Sequence, residues 1–302
     1  MIEELCRLIA AHAHDDGLPI DGLRVASVDS PTLPLSTLAK PVLAVVAQGS
    51  KRLVFDDQVY EYGAGDYIVV SVDLPVTGQF VGASKEEPFL GVGLDLRPEV
   101  IASLLLEATP ESLHSANRSS MTVRPLDVDR ASDALLEALV RLLRLLDRLE
   151  DVRVLAPLIE REIVWRLLSG RLGPMIRQIG LADSNFSSIR RAIRWIREHP
   201  AEPFRVEDLA ERANMSVSTF HRHFRTVTTL SPVQFQKKVR LQQARLMLLG
   251  EGLDVAGAGY AVGYDSPSQF SREYRREFGA PPGQDAAQLR TQRSLEGIAG
   301  LP

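Results

Sequence analysis

The 302-residue chain contains one cysteine, Cys6, which excludes an intrachain disulfide framework and any cysteine-based zinc site. It has no apolar run near the ~20 residues that a membrane-spanning helix needs. The opening residues, MIEELCRLIAAHAHDD, are amphipathic and acidic, with neither the basic start nor the apolar centre of a secretory signal. A cytoplasmic location, with no membrane partner, is the expectation. Histidine is scarce too: the six are His12, His14, His114, His199, His221 and His223, and none lies between residues 23 and 96. His12 and His14 would stand about 200° apart around a helix, so they do not make half a metal site. Also missing are a G-x-S-x-G elbow, a P-loop and a Rossmann fingerprint. No catalytic residue, metal or cofactor is expected.

What is present is an ordinary globular composition, 45% hydrophobic and 25% charged. At roughly 100–200 residues per unit, the length predicts two compact units. The formal net charge of −4 divides unevenly: residues 1–186 carry 18 basic and 27 acidic side chains, residues 187–302 carry 17 and 12. An acidic front half joined to a basic back half suggests different partners, a polyanion such as nucleic acid being the natural one for the second. A merely soluble surface is the plainer reading of the same surplus.

Short β-branched and apolar runs fill the front half: 23–29, 42–48, 52–57, 59–62, 67–73, 77–83 and 89–96, separated by turn signals such as Gln48-Gly49-Ser50 and Gly63-Ala64-Gly65-Asp66. Six or seven short strands without intervening helices predict an antiparallel sandwich or barrel. The pairing of Arg52–Asp56 with Val59–Tyr62 reads as a hairpin. Such small barrels resemble the cupin fold, and Gly65-Asp66 followed by Leu74-Pro75 is compatible with it. A catalytic cupin needs imidazole ligands that this segment lacks. What remains is binding: Gln48 or Thr77, facing inward, could orient a small ligand, or could simply be hydrogen-bonded inside a packed barrel.

In the middle, Pro98–Glu107 reads as a short helix. Leu135, Leu139, Leu142, Leu146 and Leu149 then recur at spacings of 4, 3, 4 and 3, the stripe of a long helix. A second apolar helix is expected to begin near Pro157 and end at Gly170. The leucine stripe must be buried, either on the barrel or against the same helix of a second subunit with two-fold symmetry. Gly173-Pro174 to Asn185 reads as a linker.

The back half is more specific. Ser187–Glu198 is a helix stopped by Pro200, and Val206–Ala213 is a second. Asn214 suits the left-handed turn that follows, and Ser216 can cap a third helix, VSTFHRHFRTVT. This helix-turn-helix pattern recurs after a connecting helix, Pro232–Leu249. Asp254 caps VAGAGYAV, Gly263 makes the turn, and Ser266 caps PSQFSREYRREF. Phe220 and Phe224 align with Phe270 and Tyr274, and Arg222 aligns with Arg272.

These residues closely resemble the C-terminal domain of the AraC/XylS family of bacterial transcription regulators, with VGYDSPSQFSREYRREFGAPP as the signature segment. AQGSKRLVFDDQVYEYGAGDYIVVSVDLPVTG is similar to the cupin-type N-terminal domain carried by one subgroup. The resemblance implies an α+β chain: an N-terminal antiparallel β-barrel (cupin-like) with flanking helices, and a C-terminal all-α domain with two helix-turn-helix motifs. The expected divisions are an effector-binding barrel over residues 1–115, a helical dimerisation and linker region over 116–183, and a DNA-binding domain over 184–302 with motifs at 203–227 and 253–278.

It further implies a sequence-specific regulator, such as an activator, that binds double-stranded promoter or operator DNA. A small-molecule effector, a second copy of the chain and RNA polymerase are the other candidate partners. The alternatives are a ligand-independent regulator with a purely structural barrel, and a barrel enzyme fused to a DNA-binding module. By register, Ser218, Thr219, His221 and Arg222 would face the groove in the first motif, and Ser268, Gln269 and Arg272 in the second. Arg225, Arg275, Arg276, Lys237 and Lys238 would meet phosphates or solvent. Three departures from the family pattern stand out. Gly257 and Gly259 lie inside a helix, costing roughly 1 kcal/mol each unless they permit close packing. Pro267 replaces an early polar position. Gly283-Gln284 stands where a Tyr-Arg pair is common, and the residues after it read as a loose tail. The connecting helix, at ~1.5 Å per residue, spans about 27 Å against a groove repeat of about 34 Å, which predicts a bent site or a dominant first motif.

Overall fold

The computed structural model describes residues 1–13, 17–109, 124–181, 185–250 and 253–291. Among these, the front half forms strands β1 (Leu23–Val28), β2 (Leu35–Ala39), β3 (Val42–Gln48), β4 (Ser50–Phe55), β5 (Gln58–Gly63), β6 (Asp66–Val70), β7 (Leu74–Gly82), β8 (Phe89–Asp95) and β9 (Leu126–Arg130). They pair antiparallel throughout, in the orders β1-β8-β3-β6-β9 and β2-β7-β4-β5. The result is a two-layer sandwich, and no strand pairing joins the two sheets among the described residues.

Sequence explains the difference between the layers. β3, VLAVVAQ, is buried on both sides: Leu43, Val45 and Ala47 meet a helical layer, while Val42, Ala44 and Val46 meet the other sheet. β4, SKRLVF, alternates, with Lys51, Leu53 and Phe55 turned inward. Two strands carry a weak sequence signal. β2 follows Pro31 and Pro34, and β9 (LDVDR) holds three charged residues, yet both pair along their full length.

The helical layer on the five-stranded sheet comprises α1 (Ile2–His12), α2 (Pro98–Glu107), α3 (Asp133–Arg144), α4 (Leu149–Leu168) and α5 (Gly173–Gly180). Leu135, Leu139, Leu142 and Leu146 are all buried in this layer, so the stripe packs within the chain. It is not one long helix either. α3 ends at Arg144, a tight 3₁₀ turn spans Leu145–Asp147, and Leu149 opens α4 with 62% of its surface exposed. Pro157 sits inside α4 rather than in its first turn; it and Arg153, whose carbonyl loses the usual partner, lie on the solvent side, where water can substitute. The expected linker instead holds α5, which buries Met175, Ile176 and Ile179; a Cβ on Gly180 would come within 2.5 Å of Ile101, so glycine permits that contact.

The back half contains α6 (Asn185–Glu198), α7 (Val206–Arg212), α8 (Val217–Thr228), α9 (Pro232–Leu249), α10 (Val255–Ala261), α11 (Pro267–Phe278) and α12 (Pro282–Thr291). α7–α8 and α10–α11 are the two helix-turn-helix units, and α9 joins them. Asn214 (φ 55°) and Gly263 (φ 87°) supply the left-handed turns. Ser216, Asp254 and Ser266 each accept a backbone N–H as N-caps. Gly259 lets α10 lie against Phe270, whose ring atoms would stand 3.0 Å from a Cβ there. The residues after Gly283 form α12, which buries Asp285 and Ala286, rather than a tail; residues 292–302 lie outside the described residues.

α9 also rests on the sandwich. Arg245 donates to Ser36 (3.2 Å), and Arg197 of α6 pairs with Asp73 (2.5 Å).

Candidate nucleic-acid interface

Each unit has a closed apolar back and an open polar front. In α8, Phe220 and Phe224 are fully buried, which turns Ser218, His221, Arg222 and Arg225 outward to exposed positions. Thr219 is half-buried, and its hydroxyl accepts from Ser216 at 2.9 Å. In α11, burial of Phe270 and Tyr274 leaves Ser268, Gln269, Arg272, Arg275 and Arg276 exposed. Arg272 Nε lies back along its helix toward the Ser268 carbonyl at 3.3 Å. None of the ion pairs found among the described residues involves Arg222, Arg225, Arg272, Arg275 or Arg276. Their guanidinium groups are therefore open to anions and base edges, with only Arg272 Nε given to a backbone carbonyl.

Two residues expected to meet phosphates or solvent have partners within the fold. Lys237 pairs with Glu273 at 2.9 Å and Lys238 with Glu277 at 3.5 Å. Both lysines lie on the side of α9 that meets α11, and the two glutamates, one helical turn apart, match them. The pairing crosses two helices, so no spacing within either segment announces it.

The sequence reading also missed what holds the units together. Arg240 of α9 donates to the carbonyls of Pro200 (2.6 Å), Ala201 (3.2 Å) and Gly263 (3.1 Å), linking the end of α6 to the turn of the second unit. A Cβ on Gly263 would stand 2.7 Å from the Ala201 carbonyl oxygen, so glycine allows the two turns to touch. Gln236 donates to Pro200 (3.0 Å) and Glu202 (2.7 Å). Arg245 makes a buried two-pronged bond to Asp285 (2.7 and 2.8 Å), which also accepts from Tyr274 (2.7 Å).

In the sandwich, Gln48 and Thr77 have ordinary partners: Gln48 donates to the Pro88 carbonyl (2.8 Å), and the Thr77 and Ser36 hydroxyls share a hydrogen bond (2.9 Å). The unexpected group is Lys51, 4% exposed, its ammonium 4.4 Å from the centre of the Phe80 ring. Burial pushes its pKa down to about 7. The alternation Lys51, Leu53, Phe55 was the available signal. His12 reaches Asp147 at 3.2 Å, while His14 lies outside the described residues.

Comparison with known proteins gives three findings. Residues 19–175 match the AraC-type transcriptional regulator N-terminus, and residues 209–288 match a helix-turn-helix domain family. The HTH-type transcriptional activator RhaS of Salmonella schwarzengrund (strain CVM19633) is 28% identical over 156 residues, covering 51% of this chain and 55% of RhaS. The chain thus spans about half the length of the curated relatives it matches. Crystal structures of ToxT from Vibrio cholerae strain SCE256 share the fold. An apo variant gives a TM-score of 0.55 at 10% identity, covering 88% of this chain and 97% of that one. The unsaturated fatty acid bound wild type gives 0.50 at 10% identity, covering 88% and 93%.

Proposed function

Since the chain belongs to the AraC-type transcriptional regulators, we propose that it is a sequence-specific activator that binds double-stranded promoter or operator DNA through both helix-turn-helix units. One observation carries this: two readers, fixed to one connecting helix, each present an outward edge with an arginine engaged in no ion pair found among the described residues. The second helix of each motif enters the major groove. Ser218, Thr219, His221 and Arg222 meet base edges from α8; Ser268, Gln269 and Arg272 do so from α11. Arg222 and Arg272 are suited to guanine O6 and N7, Gln269 to adenine. Arg225, Arg275 and Arg276 contact phosphates and set register without reading sequence.

The remaining roles follow the earlier divisions. Residues 1–115 form the effector-sensing part, 116–183 the pairing and linking part, and 184–302 the DNA-binding part. The sandwich senses a small molecule, a reading supported by ToxT, a protein of this fold whose structure is bound to an unsaturated fatty acid. Pairing of two copies uses the outer face of α4, where Val154 and Leu158, one turn apart, are 65% and 59% exposed and Leu155 stands beside them. The role is regulatory rather than catalytic. No helix among the described residues is long and apolar enough to cross a membrane, and we place the protein in the cytoplasm, with RNA polymerase as a further partner.

The test is a gel-shift titration of the full chain on promoter fragments at low ionic strength, with and without a metabolite extract. Retardation that the extract alters is the expected result. A protein that ignores every fragment overturns the reading.

A further inference from the structure

α6 has three faces with three different tasks. Ile189, Ile193 and Ile196 are buried in the same core as Phe220 and Phe224 of the first reader. Arg190 and Arg197 turn toward the front half, where Arg190 donates to the Ile179 carbonyl (2.6 Å) and Arg197 pairs with Asp73 (2.5 Å). On the third face, Ser188, Arg191, Ala192 and Trp195 share one side of the helix and meet the end of α7 around a cavity of about 270 Å³.

The cavity is apolar within and cationic at its edge. Ala192 of α6 faces Leu209 and Ala213 from the α7 side; all three are buried, and alanine at two of them leaves room that a larger side chain would fill. Trp195 is held from outside the cavity: its ring stacks on His199 (5.1 Å between centres, 17° between planes) and meets Phe204 edge-on at 6.0 Å. Two exposed arginines, one from each helix, complete the lining. Arg191 donates to the hydroxyls of Ser187 (3.1 Å) and Ser188 (2.8 Å), and the Arg212 guanidinium lies 5.5 Å from the centre of the Trp195 ring. Neither arginine takes part in an ion pair found among the described residues. With five N–H donors on each guanidinium, both keep donors to spare.

Two positive charges beside an apolar floor and an indole suit a ligand with an anionic end and a flat apolar body. A carboxylate meets a guanidinium through two parallel bonds, and an aromatic ring gains from contact with tryptophan. The volume falls below the roughly 300–1,000 Å³ of sites for drug-sized molecules, which limits the body to one or two rings. We propose that this cavity binds a small aromatic carboxylate, with its ring beside Trp195 and its charge between Arg191 and Arg212. The site lies apart from the sandwich. It joins α6, which is bonded to the front half, to α7, which leads through the Asn214 turn into α8. A ligand bridging the two helices holds the first reader in the arrangement seen here and so strengthens its grip on DNA; this consequence rests on the reading that α8 enters the major groove.

Calorimetric titration of the full chain with benzoate, 2-naphthoate, benzamide and inorganic phosphate, at one ionic strength, tests the site. The two aromatic carboxylates should bind once per chain, and Arg191→Gln and Arg212→Gln should each weaken them by roughly 5- to 10-fold. Ala213→Leu, which fills the cavity, should abolish binding; if it does not fold, the exposed arginine variants decide alone. Trp165→Phe leaves Trp195 as the sole tryptophan, and its fluorescence should change with the affinity that calorimetry gives. No saturable binding of either acid overturns the proposal. So does an affinity that neither arginine variant alters, which puts the ligand elsewhere in the chain. Equal binding of benzamide removes the need for charge, and equal binding of phosphate marks an ion site only; each result overturns it.

Gel shifts on a duplex enriched from a random pool by the full chain test the consequence. Saturating benzoate should tighten wild-type binding by roughly fivefold and leave Arg212→Gln unchanged. Any other response overturns the regulatory step and leaves the site standing. Arginine variants that lose DNA affinity and salt dependence without benzoate also overturn that step, since the two side chains are then phosphate contacts. A pool that yields no enriched duplex overturns the groove reading, while the calorimetry still decides the site.

Discussion

Replacing Lys51 with methionine should stabilise this protein at neutral pH and remove part of its pH dependence. The ammonium lies between two apolar sheets, against the Phe80 ring, and its pKa falls from 10.5 to about 7 through loss of hydration. In the unfolded chain the same amine stays protonated to about pH 10.4. Between pH 7 and 10 the unfolded state therefore binds more protons than the folded one, so folding becomes more favourable as pH rises. At about 1.4 kcal/mol per unit, with the folded group half-titrated at the start, the gain from pH 7 to pH 9 is about 2 kcal/mol from this one residue. Methionine has similar length and no charge, so Lys51→Met should recover roughly 2–4 kcal/mol at pH 7 and flatten that rise. Urea unfolding of both proteins at pH 7, 8 and 9 measures it. The buried tyrosines do not interfere, because burial raises Tyr62, Tyr67, Tyr264 and Tyr274 far above this window. Parallel stability curves for the two proteins would refute the reasoning.

Arg222→Ala should cost ~1–3 kcal/mol of operator affinity and relax discrimination at one base pair, as read by a panel of base-substituted duplexes. Arg275→Ala should weaken binding to all sequences alike and reduce the slope of log affinity against log salt by about 1, whereas Lys237→Ala, whose charge is met by Glu273, should leave that slope unchanged. Leu158→Glu, on the exposed face of α4, should abolish pairing in analytical ultracentrifugation with little effect on melting. Leu139→Ala, fully buried, should instead destabilise the fold by about 2–5 kcal/mol. Arg240→Ala, which severs the carbonyl contacts linking the end of α6 to the turn of the second unit, should reduce DNA bending in a circular-permutation assay.

How much of this could be read from sequence depended on whether the signal was local. The connecting helix runs over Pro232–Leu249 as expected, because Ser231 and Pro232 start it and Gly250 stops it. The caps at Ser216, Asp254 and Ser266 and the turns at Asn214 and Gly263 are equally local, each needing only its own few residues. The leucine stripe misled because a 4-3-4-3 spacing persists across a 3₁₀ turn that breaks the helix after Arg144. α5 was hidden by its opening Gly173-Pro174, where proline at the first turn starts a helix as readily as it marks a linker. The exposed edges of α8 and α11 were legible from the four-residue spacing of the aromatics behind them. Arg240, Glu273 and Asp285 were not, since each acts on a partner brought close only by the fold.

The Arg240 contacts change the argument about DNA geometry. From length alone, a strut of about 27 Å could serve grooves about 34 Å apart if the two readers swung on flexible joints. The structure removes that freedom. The Gly263 turn abuts Ala201, Arg240 and Gln236 clasp the carbonyls at the end of α6, and Arg245 secures the far end of α9 to Asp285 and Ser36. Separating the units would break charge-assisted bonds from Arg240 to partly buried or exposed carbonyls, worth at most about 1.5–3 kcal/mol each. Bending a 20–30 base-pair site by tens of degrees costs about 1–6 kcal/mol, a comparable sum spread over flexible steps. The duplex is then the softer partner, and sequences that bend easily between the two contact points are favoured at base pairs neither reader touches.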